Sequence, residues 1–318
     1  MNSEIDLCCI QLNKNEDFIT RGHCISSEGE QFHYILALDG HGDTSRQMMP
    51  YIRGLDFDDI LSNNVCPATR LNEIINEGER FHIRSGCTFA CAKIFENRVE
   101  AITVGDSNVY IYVNNELIYL SPDHNINNKE EIQRLEEAGI TFKTQYDQTF
   151  KLLSATSLEP DITQSLHFLS PTPYLEPETG CELFIAMTQT LGHHGITGLK
   201  PATKTIMIQP TDKVDVIVAT DGVWDIIDPE LIAEDKTMLL HNSAKDIATE
   251  AVNRWKQGWN YIYNGISYTN TEFGSSGWDD VSVGIFRKKS IITRRDDVAV
   301  EDILLVSNPL ALFEEHII

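Results

Sequence analysis

The chain has 318 residues, 42% of them hydrophobic and 23% charged, and a formal net charge of −23. That charge repels a polyanion, and the one basic cluster (Arg287, Lys288, Lys289, Arg294, Arg295) runs straight into Asp296 and Asp297, so it reads as a solvated tail rather than a nucleic-acid contact. No stretch approaches the ~20 apolar residues of a membrane span, and seven cysteines without a Cys-x-x-Cys pair do not form a disulfide framework.

Cys8, Cys9, Cys24, Cys87, Cys91 and Cys181 lie in or beside apolar runs and read as buried reduced thiols. An apolar run from Ile5 to Leu12 follows Glu4 and contains Asp6, which suits a strand and not a signal peptide. The expected location is intracellular, in the cytoplasm, with the nucleus open as an alternative. No membrane partner is expected.

Strand-like runs dominate the first half: Ile5–Leu12, Asp17–Cys24, Gln31–Leu38, Thr88–Phe95, Val99–Val104, Asn108–Val113 and Glu116–Leu120. Asn114-Asn115 suits a two-residue hairpin turn because asparagine tolerates positive φ, and Glu96-Asn97 serves between Phe95 and Val99. Helices are predicted from Pro67 to Phe81, from Asn128 (a capping box with Glu131) to a stop at Gly139, and from Ser243 with Asp246 onward. The last of these places Ile247, Ala248, Ala251, Val252 and Trp255 on one face. Consecutive hairpins in place of βαβ units predict an antiparallel α+β fold. The segment from Leu158 to Gly180 carries Pro160, Pro171, Pro173 and Pro177 and reads as a long surface loop or insertion.

Acidic residues recur where apolar strands end: Glu16 and Asp17 in "NED", Asp39 and Gly40 in "LDGHGD", Asp106 in "VGDSNV", Asp221 and Asp225 in "ATDGVWD", Asp279 and Asp280 in "WDDVSV". A single Asp-Gly is usually a turn. Strands of one sheet bring their ends together, however, and converged carboxylates raise each other's pKa unless something positive lies among them. Mg²⁺ or Mn²⁺ fits, since both prefer oxygen ligands.

Taken in order, "NED", "LDGHGD", "SGCTFACAKI", "VGDSNVYIY", "LSPDHNINNKEEIQRLEEAG", "ATDGVWD" and "WDDVSVGIF" resemble the metal-dependent Ser/Thr protein phosphatases of the PPM or 2C type, over roughly residues 7 to 286. The resemblance implies a central sandwich of two antiparallel β-sheets with helices on both outer faces. It implies a phosphatase domain over 1–289, with an enlarged flap-region insertion near 140–186, and a C-terminal extension over 290–318. It implies two Mg²⁺ or Mn²⁺ ions per active site. Asp39 would bridge them, with the Gly40 carbonyl and Glu16 on one ion, Asp17 close by, and Asp221 and Asp279 on the other. Asp106, Asp221 and Asp225 would form a weaker third site, and His41 would be the general acid. Gly40, lacking Cβ, would let the backbone approach a ligand.

Two departures stand out. Leu12 occupies the position of the family's phosphate-gripping arginine, and whether Lys14 substitutes is left open. In "AMTQTLGHHG" His193 stands where the family has an aspartate, and His193-His194, flanked by glycine, reads as a solvent-exposed loop pair. Asp280 also replaces the usual asparagine. The leading function is hydrolysis of phosphoserine or phosphothreonine in proteins by a metal-activated bridging water, with a phosphoprotein as partner and the chain a monomer. The alternatives are an inactive pseudophosphatase that captures phosphoproteins, supported by Leu12 and His193, and hydrolysis of a small phosphoester.

Overall fold

Side chains along the strand Gln31–His41 alternate between two cores, as an extended chain must. Ile35 and Ala37 face one core, while Tyr34, Leu36 and Leu38 face another. Val214–Ala219 divides its residues the same way, with Val214, Val216 and Val218 in the core it shares with Ile35, and Ile217 and Ala219 on its far side. Two stacked sheets, each covered by helices on its outer face, follow from these two alternations.

The computed structural model describes residues 3–12, 14–42, 45–125, 128–139, 150–155, 172–175, 182–185, 187–263 and 266–290. One sheet runs in the order Ser3–Ile10, Val281–Lys288, Val214–Ala219, Asn108–Val113, Glu116–Leu120. The other runs Leu191–Gly192, Gly86–Cys87, Gln31–His41, Phe89–Ile94, Arg98–Val104, Ala202–Met207, with Asp17–Ile25 also paired to Gln31–His41. The pairings are antiparallel throughout both sheets. Helices Ser45–Arg53, Phe57–Ser62 and Pro67–Asn76 bury Met48, Met49, Ile52, Ile60 and Leu71 against Leu36 and Leu38. On the opposite outer face, Ala233–His241 and Ala244–Lys256 bury Leu239, Ile247, Ala251 and Trp255 against Ile217, Val283 and Ile285. The expected α+β sandwich is therefore the fold.

Several local expectations hold. Asn114 and Asn115 turn with φ of 54° and 68°. Asn128 caps Lys129–Glu137, and Gly139 (φ 67°) follows that helix. Ser243 and Asp246 form a reciprocal capping box.

Others are corrected. The helix from Pro67 ends at Asn76, because Glu77 turns extended (ψ 118°) and a short 3₁₀ turn Glu77–Glu79 precedes Phe81. Cys24, Cys87 and Cys91 are buried, but Cys8 is half-buried and Cys9 exposed, since their strand lies at the edge of its sheet. Cys181 lies outside the described residues. The proline-rich segment is not wholly loop, for Thr172–Leu175 pairs with Glu182–Ile185. Phe150–Ala155 joins a third, three-stranded sheet with Gly258–Tyr263 and Ile266–Glu272. The remainder of the 140–186 region and the extension from 291 onward lie outside the described residues. Among the described residues, no helix is long and apolar enough to cross a membrane.

Candidate active site

Strand register brings the acidic motifs to one end of the sandwich. Asp17 begins its strand directly opposite Asp39. Ala219, two residues before Asp221, pairs with Val283 on one side and Asn108 on the other. The starts of the strands after Asp279 and Asp106 therefore flank the end of the strand before Asp221. Asp221 opens the short helix Asp221–Trp224, and Asp225, its C-cap, donates its backbone N–H to the Asp221 carbonyl (2.8 Å).

Neighbouring polar groups hold several of these acids. Thr220 Oγ1 donates to Asp17 Oδ2 (2.8 Å), and Ser45 Oγ donates to Glu16 Oε1. The backbone N–H of Asp39 donates to Thr88 Oγ1 (3.0 Å). Asp280 accepts from the backbone N–H of Leu12 (2.6 Å) and of Glu16 (2.9 Å), and so ties the loop before the second strand to the start of the last. Asn15, with φ 57°, breaks the extended chain there. Beyond that break, the Lys14 ammonium reaches Asp279 at 2.9 Å. Leu12 contributes its backbone to the clamp and supplies no charge. Arg46 and Arg53 donate to carbonyls of the same loop, at Lys14, Asn15 and Asp17.

Burial is the main force on the carboxyls, and mutual repulsion adds to it. Burial first, then the charges of Asp221, Asp17 and Asp279, pushes Asp39 well above the usual carboxylate range. Asp17 is raised by burial and by Asp279 and Asp221, against the Thr220 hydrogen bond. Burial followed by Asp221 raises Asp106 and Asp225, and Asp123 contributes to both shifts. Asp279 is pushed up to about 6 by burial and Asp221, although Lys14 pulls the other way. Partial burial works against the Lys14 charge, but Asp279, Asp221 and Asp39 outweigh it and hold the ammonium above the usual lysine range.

The donor set fits hard divalent cations. Asp17 Oδ1, Asp106 Oδ1 and Asp221 Oδ1 are buried oxygens with no hydrogen-bond partner. Unpaired buried carboxylate oxygens are costly unless a cation or proton meets them. Among the described residues, no three His, Cys, Asp or Glu side chains stand close enough together to cage an ion as they are. A Cβ on Gly40 would meet Met49 Cγ at 2.6 Å, so packing under the first helix excludes a side chain there.

His41, the last residue of its strand, is half-buried, and its Nε2 lies 2.9 Å from His193 Nε2 and 3.2 Å from Thr190 Oγ1. Burial first, then His193 and Lys14, pushes its pKa well below the usual imidazole range. His193 is not the exposed loop residue expected: it is 2% exposed, donates from Nδ1 to the Ile83 carbonyl (2.6 Å), and is pushed down to about 4 by burial. Only His194 is exposed. The contributions of Ser45, Thr88, Asp123, Thr190 and Thr220 gave no sequence signal beyond proximity to a motif, except that Asp123 follows a strand end as the other acids do.

Two solved structures share the fold. The serine/threonine phosphatase Stp1 of Staphylococcus aureus is 14% identical, with a TM-score of 0.51 over 91% of this chain and 95% of that one. A sex-determining protein of C. elegans is 18% identical, with a TM-score of 0.51 over 90% of this chain and 64% of that one. Both likenesses define the fold as an α+β sandwich of two antiparallel sheets. The sequence profile described as Protein phosphatase 2C matches residues 51–256, well over half of the chain, and the chain belongs to that family. Two probable protein phosphatases of Dictyostelium discoideum are similar: one is 29% identical over 130 residues, the other 24% identical over 207. Those matches cover 41% and 59% of this chain but only 10% and 18% of the relatives' own lengths.

Proposed function

We infer that the chain hydrolyses phosphoserine and phosphothreonine esters of proteins with the aid of Mg²⁺ or Mn²⁺. The carrying observation is the set of buried, unpartnered carboxylate oxygens on Asp17, Asp106 and Asp221 at one end of the sandwich. Membership of the family supports the reading, as metal dependence is general to it. Asp39, Asp221 and Asp279, with Glu16, Asp17 and the Gly40 carbonyl, would hold two ions, and Asp106, Asp221 and Asp225 a weaker third. When bound, the ions would supply Lewis-acid charge to the phosphoryl group and to the attacking water. Thr220 and Ser45 keep Asp17 and Glu16 in fixed rotamers for that task. His41 would supply a proton to the departing serine or threonine oxygen, which is a poor leaving group without one.

A hydrolysis assay on a phosphopeptide tests this reading. Activity should require added Mg²⁺ or Mn²⁺ and vanish in EDTA. Asp39→Ala and Asp221→Ala should each lose at least ~10²-fold in kcat, equivalent to ~2.7 kcal/mol of barrier. Full activity in EDTA would rule out the metal-dependent mechanism.

A second reading, a pseudophosphatase that holds a phosphoprotein without turnover, is favoured by one feature. Lys14, a cation at the site, is engaged by Asp279 and does not offer a guanidinium fork. A weak grip on the phosphate should appear as a high KM. Leu12→Arg is expected to lower KM for a phosphopeptide. An unchanged KM in that variant would mean that Lys14 already fills the role.

A further inference from the structure

A cleft of about 690 Å³ opens at the end of the sandwich opposite the acids. Its lining includes His23, His33 and Ile94, which register sets side by side: His23 lies across from His33, and His33 across from Ile94. The strand Gln31–His41 begins at this cleft and runs from it toward Asp39. Pro210 forms part of the wall, and the Ile208 N–H bond to the Asn97 carbonyl (2.9 Å) ties that wall to the sheet. Two exposed acids, Glu30 and Glu96, stand in the lining. Arg98 forks Glu30 through Nη1 (3.0 Å) and Nη2 (2.6 Å), whereas Glu96 joins no ion pair among the described residues.

The last strand delivers the chain to this cleft. Lys288, only 3% exposed, donates from Nζ to the Gln209 carbonyl (2.7 Å), and Ser290 Oγ donates to the Thr211 carbonyl (2.8 Å). These two bonds bracket Pro210, so the described chain ends beside the cleft wall. The next residues in sequence are Ile291, Ile292, Thr293, Arg294 and Arg295. Reach is not limiting, since five extended residues span up to about 17 Å and the wall begins one residue from the Thr211 anchor. Such a segment brings what the cleft lacks: apolar side chains for Ile94 and Pro210, and a guanidinium for Glu96. Tethering also gives it a high effective concentration, so modest contacts suffice.

We propose that this cleft is a docking site for the chain's own residues 291–295, with Ile291 and Ile292 against Ile94 and Pro210, and the Arg294–Arg295 pair on Glu96. The basic cluster at the end of the last strand is then held by the domain in place of being left to solvent. The site is independent of the phosphatase reading, because it lies at the other end of the sandwich from Asp39 and Asp221.

Hydrogen–deuterium exchange on the full chain, read by mass spectrometry, tests the docking. Amides of residues 291–295 should exchange at least about 10-fold more slowly than in a free synthetic peptide of the same sequence, and dilution should not change this. The double substitution Ile291→Asp with Ile292→Asp should abolish the protection while leaving the near-ultraviolet circular dichroism of the domain as it was. Glu96→Arg should weaken the protection, and adding Arg294→Glu and Arg295→Glu to it should restore the protection by reversing both charges. Exchange of the wild-type segment at the free-peptide rate overturns the proposal. Protection that rises with protein concentration would give the cleft to a second copy of the chain and overturn it equally. Protection that survives the two Asp substitutions would place the segment elsewhere, and failure of the charge reversal would remove Glu96 as its partner.

Discussion

Asp280 shows how one residue type can be misjudged when only its charge is considered. In place of the family's asparagine it adds a negative charge beside the other acids, yet it spends both carboxylate oxygens on the backbone N–H groups of Leu12 and Glu16. Hydrogen bonds to a charged acceptor are the stronger kind. Asp280→Ala should therefore destabilise the fold by about 2–3 kcal/mol, and Asp280→Asn, with a single acceptor oxygen, by a smaller amount. Urea denaturation monitored by tryptophan fluorescence would measure both, and a neutral Asp280→Ala would mean the clamp is unimportant. The carboxylates themselves were legible as strand-end acids. The residues that hold them were not, because Ser45, Thr88 and Thr220 become partners only when strands distant in sequence lie side by side. His193 is the sharpest case: a Gly-flanked His pair suggests an exposed loop, and only the packing of Ile83 and Gly86 against it reveals a buried ring.

At the scale of elements, legibility followed locality. The capping box of Ser243 and Asp246 and the apolar spacing behind it are contained within one helix, and both appear as expected. Ser243 Oγ accepts from the Asp246 N–H (3.2 Å) at an exposed helix start. Ser243→Ala should accordingly cost about 1 kcal/mol, a typical value for a lost N-cap. A lowered melting temperature with unchanged activity is the expected signature, and loss of activity without loss of stability would contradict it. The helices Ser45–Arg53 and Phe57–Ser62 escaped sequence reading. They are short, one contains Pro50, and their stability comes from burying Met48, Met49 and Ile60 on the sheet more than from local propensity. The two-residue strands Gly86–Cys87 and Leu191–Gly192 are too short to leave a periodic signal at all.

For the whole molecule, the acids proposed to hold a cation are a liability without one. Asp279, raised to about 6 in the metal-free fold, retains a proton that the unfolded chain, with a value of about 3.9, gives up. Its contribution therefore favours the metal-free fold as pH falls from about 6 toward 3.9, and is lost as pH rises through about 6. Protons and cations compete for the same oxygens. The gain in Tm on adding saturating Mg²⁺ or Mn²⁺, measured against EDTA at the same pH, should be small near pH 5 and grow through about 6 toward about 7.5. A gain independent of pH would show that the cation binds elsewhere.

The sequence by itself determined the alternating strands, the two hairpin turns, the capped helices and the acids at strand ends, because each depends on side chains a few positions apart. From those came the antiparallel α+β class, and the ordered motifs carried the family. Only the tertiary structure decided that Lys14 reaches Asp279, that Asp280 clamps the loop of Leu12 and Glu16, and that His193 meets His41. Those contacts join residues more than 150 positions apart, so their geometry is set by register and sheet stacking. No local pattern encodes either one.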